Sequence, residues 1–128
     1  MAGAGHNVIC SNLLIAIGGK LKGKPCFPYG SDMRIHISEN TLLTYPDISI
    51  IYGEVIFSPF DADTAIQSAV IIEILSLSTK QYHRGGKFML YRKIPAIRHY
   101  IFVDSESINI ESFIINERNH WKLSEHEI

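Results

Sequence analysis

The sequence predicts one α/β domain with a mixed β-sheet. Segments with helical apolar spacing and short runs of β-branched residues follow one another in the order α, β, β, β, α, β, β. Residues 69–75 are nearly all apolar, which is typical of a central strand covered on both faces. No internal repeat or low-complexity linker divides the 128 residues, so residues 1–128 are expected to form a single domain.

The first predicted element is a helix over residues 6–22. Asn7 is a candidate N-cap, and Gly23 is well placed to end the helix. The side chains expected to share its apolar face are those of Val8, Leu14, Ile15 and Leu21.

The strands of the first half are predicted from the positions of prolines, the alternation of apolar and polar residues, and the content of β-branched residues. Two prolines restrict a short extended piece over residues 25–28. Apolar and polar residues alternate over 33–37, which predicts a half-buried strand, and residues 48–52 form a β-branched strand. Residues 54–64 are predicted to form a loop, with room for a strand at its start. Residues 69–75 are the central strand.

The second half of the chain is predicted to hold one helix and two strands. The helix covers residues 79–93 and ends at Pro95. Residues 98–103 and 107–115 are the strands, and residues 117–128 are polar and expected to form a fraying end.

The composition is that of an ordinary globular protein. The hydrophobic fraction is 46% and the charged fraction is 20%. Lys and Arg number 12 against 13 Asp and Glu, which gives a net charge of −1. Proteins that bind nucleic acids usually carry a basic excess. Any basic surface must therefore come from local clustering.

The two cysteines, Cys10 and Cys26, have no spacing typical of a zinc site and are predicted to be reduced thiols. The six histidines also show no metal-ligand spacing, and most of them are predicted to be surface or strand-face residues. The apolar stretch over residues 9–17 is shorter than the about 20 residues of a membrane span. No membrane association is expected, and the predicted location is the cytoplasm.

Glu73 is the most informative single residue, because apolar residues flank it on both sides. An ionised carboxylate inside such a strand is unfavourable unless it is paired or binds a metal. The sequence leaves two interpretations open, a metal ligand and a partner in a salt bridge.

Asp47 and Lys87 are ambiguous when each is taken alone. Asp47 follows Pro46 directly before a strand, where it could be a site residue or an ordinary turn residue. Lys87 lies on the predicted second helix and could belong to a solvated basic face. Taken together with Glu73, they fit phosphodiester hydrolysis: two carboxylates can bind Mg²⁺, and a lysine can offset charge on the phosphate.

Four segments in order resemble the Uma-two family of endonucleases. They are Tyr45-Pro46-Asp47; residues 73–79, which begin with Glu73; residues 82–87, which end with Lys87 and are followed by Tyr91; and residues 100–104. The resemblance also includes Ser31-Asp32-Met33-Arg34 and the opening residues 1–6, so it covers nearly the whole chain.

The resemblance implies a restriction-endonuclease-like fold and a PD-(D/E)xK site. Pro46-Asp47 would be the PD and Glu73 the (D/E), while Leu75 stands at the usual lysine position. The resemblance therefore implies that Lys87, on the following helix, has the role of the motif's lysine. The implied catalytic residues are Asp47, Glu73 and Lys87, with Asp47 and Glu73 as ligands to Mg²⁺ or Mn²⁺.

The function implied is metal-dependent hydrolysis of phosphodiester bonds in DNA. Members of the family usually carry a further N-terminal segment, and the position of His83 is commonly an aspartate. These departures favour an alternative, a catalytically weak or inactive member that acts as a binding or dimerisation module. A sheet edge that such a segment would otherwise cover would also favour a homodimer or larger homo-oligomer.

Overall fold

The structure is a computed structural model that describes residues 4–36, 43–59, 61–75, 88–94, 96–105, 109–116, 118 and 120–127. Its elements are α1 (Ala4–Leu21), β1 (Cys26–Tyr29), β2 (Arg34–His36), β3 (Leu43–Thr44), β4 (Ile48–Tyr52), β5 (Phe57–Ser58), β6 (Asp61–Ala65), β7 (Val70–Leu75), α2 (Phe88–Tyr91), β8 (His99–Asp104), β9 (Asn109–Ile115) and β10 (Trp121–Glu127). Neither of these two helices is long and apolar enough to cross a membrane.

The strands form two sheets. The six-stranded sheet has the order β1-β4-β7-β8-β9-β10, and the four-stranded sheet has the order β3-β2-β6-β5. In the larger sheet, β7 and β8 are parallel and the other neighbours are antiparallel, so the predicted mixed sheet is present. The strands predicted over residues 48–52, 69–75 and 98–103 agree with β4, β7 and β8 to within one residue.

Apolar side chains from β7 enter two cores, one on each face of the larger sheet. Ile72 and Ile74 join the helix-side core, which α1 covers. Ile71 and Leu75 join the sheet-side core, which receives Ile35 of β2 and other residues of the smaller sheet. Successive strand residues point to opposite faces, so this alternation follows from the pleat. The prediction of a central strand covered on both faces is confirmed.

The packed face of α1 shares Leu14 with the predicted face but differs from it at other positions. Val8 is 58% exposed and Ile15 is 75% exposed, so they point to solvent. The residues of α1 packed against the helix-side core are Ile9, Cys10, Leu13, Leu14 and Ile17. Their spacings of three and four residues place them on one helical face. Because α1 already includes Asn7, the predicted N-cap is wrong.

The loop predicted over residues 54–64 contains β5 and most of β6. β6 pairs in parallel with β2, and its Thr64 and Ala65 are fully buried. Strand formation depends strongly on tertiary context. One of the two strands that pair with β6, β2, lies about thirty residues earlier in the chain, so the local sequence does not reveal this pairing.

The predicted fraying end is also wrong, because β10 pairs with β9 along its whole length, from Trp121 opposite Ile115 to Glu127 opposite Asn109. Trp121 packs against the sheet-side core. As the edge strand of its sheet, β10 can keep polar residues in water while its backbone pairs on one side.

The second predicted helix ends earlier than Pro95. α2 ends at Tyr91, and Ile94 N–H then donates to the Tyr91 carbonyl in a turn, at 3.0 Å. Proline disfavours helical backbone at the residue before it, here Ile94. The beginning of that predicted helix, residues 79–87, lies outside the described residues.

Two glycines should respond oppositely to the same substitution. Gly53 has a φ of +74° and follows β4, so Gly53→Ala should destabilise the fold by about 1–2 kcal/mol. Gly19 lies in α1 with open space around an added Cβ, so Gly19→Ala should stabilise the fold by up to about 1 kcal/mol. Urea denaturation midpoints measure both effects. Shifts of the same sign would contradict these backbone assignments.

Candidate functional site

Asp47 and Glu73 lie at the same end of neighbouring strands. Ile48 of β4 is paired with Ile72 of β7, and the same register continued by one residue places Asp47 opposite Glu73. The Ile74 N–H donates to Asp47 Oδ2 at 2.8 Å, which ties the aspartate to β7. Pro46 is fully buried and fixes its own φ just before Asp47.

The Glu73 carboxylate is buried, with only 2% of the residue exposed. The Tyr91 hydroxyl of α2 donates to Glu73 Oε1 at 3.0 Å. A second hydroxyl, that of Thr44 in β3, lies 2.6 Å from the Tyr91 hydroxyl. Since the single Tyr91 proton goes to Glu73, Thr44 must donate to Tyr91. These hydrogen bonds orient Glu73 but leave its negative charge in place.

Tyr91 is a permanent hydrogen-bond donor at neutral pH. Burial raises the pKa of its hydroxyl far above the ordinary value of 10.0, and the Glu73 charge raises the pKa further. The hydrogen bond with Thr44 lowers the pKa, but the net shift is strongly upward. Tyr91 therefore keeps its proton and stabilises the Glu73 carboxylate.

His6 is a residue of the site that the sequence prediction missed. Its Nε2 lies 3.1 Å from Asp47 Oδ1. Nε2 must carry a proton, because a lone pair facing a carboxylate would be repelled. Among the described residues, the buried Nδ1 of His6 has no hydrogen-bond partner. His6 was not singled out among the histidines, and its side chain is 21% exposed beside Asp47. The usable signal was its i, i+4 spacing to Cys10 on the packed face of α1.

Cys10 also contacts the site. Its thiol donates to the Asp47 carbonyl oxygen at 3.7 Å. Burial raises the pKa of Cys10 above its ordinary value of 9.0, and the negative charges of Asp47 and then Glu73 raise the pKa further. Because both carboxylates act on one thiol, they share a single region of negative potential. Cys10 is therefore held as a neutral thiol rather than as a nucleophilic thiolate.

Lys87, the third predicted catalytic residue, lies outside the described residues, as do His83 and the rest of its motif. In the chain it directly precedes Phe88, where α2 begins. Within the described ranges, no group of three or more His, Cys, Asp or Glu side chains could hold a metal ion. The described part of the site therefore offers two carboxylates, Asp47 and Glu73, as hard oxygen ligands.

The fold is that of a nuclease-like α/β protein. A crystal structure described as a putative nuclease belonging to DUF820, from Anabaena variabilis, matches it with a TM-score of 0.79 and 16% sequence identity. The match covers 100% of this chain and 70% of that chain. The predicted fold class is confirmed. Residues 1–127 match the family described as "Uma2: Putative restriction endonuclease", and the chain belongs to this family.

Two cyanobacterial proteins are similar in sequence, and both come from Synechocystis sp. The uncharacterized protein slr1290 is 31% identical over 121 residues, which cover 92% of this chain and 61% of the relative. The uncharacterized protein sll1609 is 28% identical over 124 residues, which cover 97% of this chain and 70% of the relative. This chain therefore spans about two thirds of the length of these relatives.

Replacing Tyr91 with phenylalanine should destabilise the fold. Tyr91→Phe leaves Glu73 without this donor and Thr44 without this acceptor, and the expected loss is about 1–3 kcal/mol. The raised pKa of Tyr91 adds stability below pH 10 that is lost as pH rises further. The penalty, measured by urea denaturation, should therefore shrink above about pH 10. Tyr52→Phe, at an exposed position, should change stability by under about 0.5 kcal/mol.

Cys10 should react slowly with iodoacetamide at pH 8, because its raised pKa keeps the thiolate fraction low. In a Cys26→Ser background, Glu73→Gln should increase the rate several-fold by removing a nearby negative charge. Glu54→Gln removes the same charge from an exposed turn beyond the other end of β4 and serves as the control. Equal rates in the two variants would show that Glu73 does not act on Cys10.

Proposed function

We propose that this chain is a metal-dependent endonuclease that hydrolyses phosphodiester bonds of DNA. In this proposal Asp47 and Glu73 hold Mg²⁺ or Mn²⁺, and Lys87 acts beside them. The supporting observation is that the β4–β7 register, continued by one residue, places a strand-end aspartate opposite a glutamate that is 2% exposed. Membership of a family described as restriction endonucleases supports the reaction class.

The donor set fits a hard divalent cation. Mg²⁺ and Mn²⁺ prefer oxygen ligands and bind through one or two carboxylates, with water and phosphate completing the shell. The Asp47 side chain is 16% exposed, so most of it is covered by protein but solvent ions can still reach it. His6 and the Ile74 N–H each occupy one lone-pair direction of Asp47, and a carboxylate has about four. The Asp47 carboxylate therefore keeps lone pairs that can bind a metal ion.

A cation between the two carboxylates would also relieve their electrostatic repulsion. Glu73 is held by a neutral phenol, and Asp47 is held by an imidazole and a backbone amide. These contacts fix the directions of the carboxylate oxygens. The arrangement is therefore preorganised for a positive ion.

The reaction places defined demands on the chain's own residues. A water oxygen bonds to phosphorus and gives up a proton to solvent, the ester P–O bond breaks, and the leaving oxygen takes up a proton. The metal ion, when bound, supplies Lewis acidity toward the phosphate. In this scheme the Lys87 ammonium offsets charge that builds on the phosphate oxygens. His6 keeps Asp47 oriented, and Tyr91 keeps Glu73 oriented.

We predict weak nicking of supercoiled DNA that requires Mg²⁺ or Mn²⁺. Asp47→Ala and Lys87→Ala should each abolish it, because the first removes a ligand and the second removes the positive charge. Glu54→Ala changes an exposed turn and should leave the rate unchanged. A gel assay of plasmid nicking, with and without EDTA, measures the effect.

Metal binding is measured separately by thermal unfolding. A ligand that binds only the native state stabilises it by about 2.7 kcal/mol at a hundred times its dissociation constant. Millimolar Mn²⁺ should therefore raise Tm, and Glu73→Gln, which keeps an acceptor for Tyr91, should remove the increase. A Tm increase without cleavage would favour the alternative of a metal-binding module with no nuclease activity. The absence of both a Tm increase and cleavage would overturn the site and the reaction together. The expected homo-oligomer stays a prediction.

A further inference from the structure

A second candidate site is an open groove of about 600 Å³ between the end of β1 and the smaller sheet. This volume lies in the range of small-molecule sites. Its lining includes three aromatic rings, one guanidinium and two carboxylates: Tyr29, Tyr45, Phe57, Arg34, Asp32 and Asp63. Two of the rings, Tyr45 and Phe57, are largely exposed even though they are apolar, so they offer uncovered stacking surface.

The charges in this groove restrict what can bind there. A phosphate would meet the carboxylates of Asp32 and Asp63, and a simple cation would meet the guanidinium of Arg34. A neutral, planar ring with both hydrogen-bond donors and acceptors can hydrogen-bond to side chains of either charge and also stack on the aromatic rings. Nucleobases have this combination of properties.

Arg34 is fixed in place before any ligand arrives. Its Nε donates to Thr64 Oγ1 at 2.7 Å, and its Nη1 donates to the Tyr45 hydroxyl at 3.4 Å. Thr64 is fully buried in β6, so this anchor is rigid. The guanidinium and the Tyr45 ring are therefore held as a unit on one side of the groove.

The groove is also close to the candidate metal site along the chain. Tyr45 precedes Asp47 by two residues, so the two Cα atoms are at most about 7 Å apart. A strand whose phosphate lies at Asp47 can therefore reach the groove with a neighbouring nucleotide.

We propose that this groove binds one unpaired nucleobase of a polynucleotide strand, with a preference for bases that carry an amino group. The base stacks on Tyr45 and Phe57, and its amino group donates to Asp32 or Asp63. The choice of a polynucleotide rests on the proposed nuclease function. The substrate would then be single-stranded or locally unpaired rather than an intact duplex.

Binding of labelled single-stranded heptanucleotides in EDTA, followed by fluorescence anisotropy, tests the groove without any cleavage. An oligo-dT strand with one central adenine or cytosine should bind more tightly than oligo-dT alone and more tightly than the corresponding duplex. Tyr45→Leu and Phe57→Leu should each weaken binding about tenfold, since stacking on an aromatic ring contributes at that level. Tyr45→Phe keeps the ring and should retain most of the affinity.

The carboxylates are tested by selectivity rather than by affinity. The double variant Asp32→Ala, Asp63→Ala should bind oligo-dT and the amino-bearing strands equally. Tyr52→Leu removes an exposed ring at the far end of β4 and should change nothing. Equal effects of Tyr52→Leu and Tyr45→Leu would overturn the proposal, as would complete competition by inorganic phosphate.

The groove and the metal site can fail independently. Glu54→Gln removes a negative charge from an exposed residue outside the groove and should leave binding in EDTA unchanged. Base-dependent binding without metal-dependent cleavage would support the groove and contradict the nuclease. Cleavage that is insensitive to Tyr45→Leu and Phe57→Leu, with base-independent binding, would support the nuclease and overturn the groove.

Discussion

The carboxylate of Glu73 imposes the strongest physical constraint on this fold. It lies in the central strand β7, where both faces of the sheet are covered by core residues. Burying a charge there is unfavourable unless fixed dipoles surround it. Tyr91 of α2 donates to it, and Thr44 of β3 donates to Tyr91. One buried charge therefore ties the larger sheet, the smaller sheet and the second helix together at a single point.

The features that could be predicted from sequence are those encoded over a few neighbouring residues. Glu73 stood out because apolar residues flank it in the same strand, and its burial follows from that strand's central place. The position of Asp47 at the start of a strand was predicted from the proline before it and the β-branched residues after it. The position of Asp47 opposite Glu73 follows from the pairing of β4 with β7, which the sequence made reasonable but did not specify.

The features that could not be predicted depend on contacts between distant parts of the chain. β6 is polar by composition and lies between β2 and β5 in the smaller sheet, and β10 forms against β9. His6 lies 41 positions before Asp47, so no local spacing reveals their contact. Thr44 is likewise far from Tyr91 in the chain. A hydrogen bond between such residues depends on packing geometry, which periodicity does not encode.

The link from β3 to β4 consists of three residues, Tyr45, Pro46 and Asp47, and it passes from one sheet to the other. Its first residue faces the groove, and its last residue belongs to the candidate metal site. An insertion or deletion here would displace both at once. A change in the length of this link would therefore disturb the candidate metal site together with the groove. Side-chain replacement at other groove positions, such as Phe57 on β5 and Asp63 on β6, would alter the groove without moving Asp47.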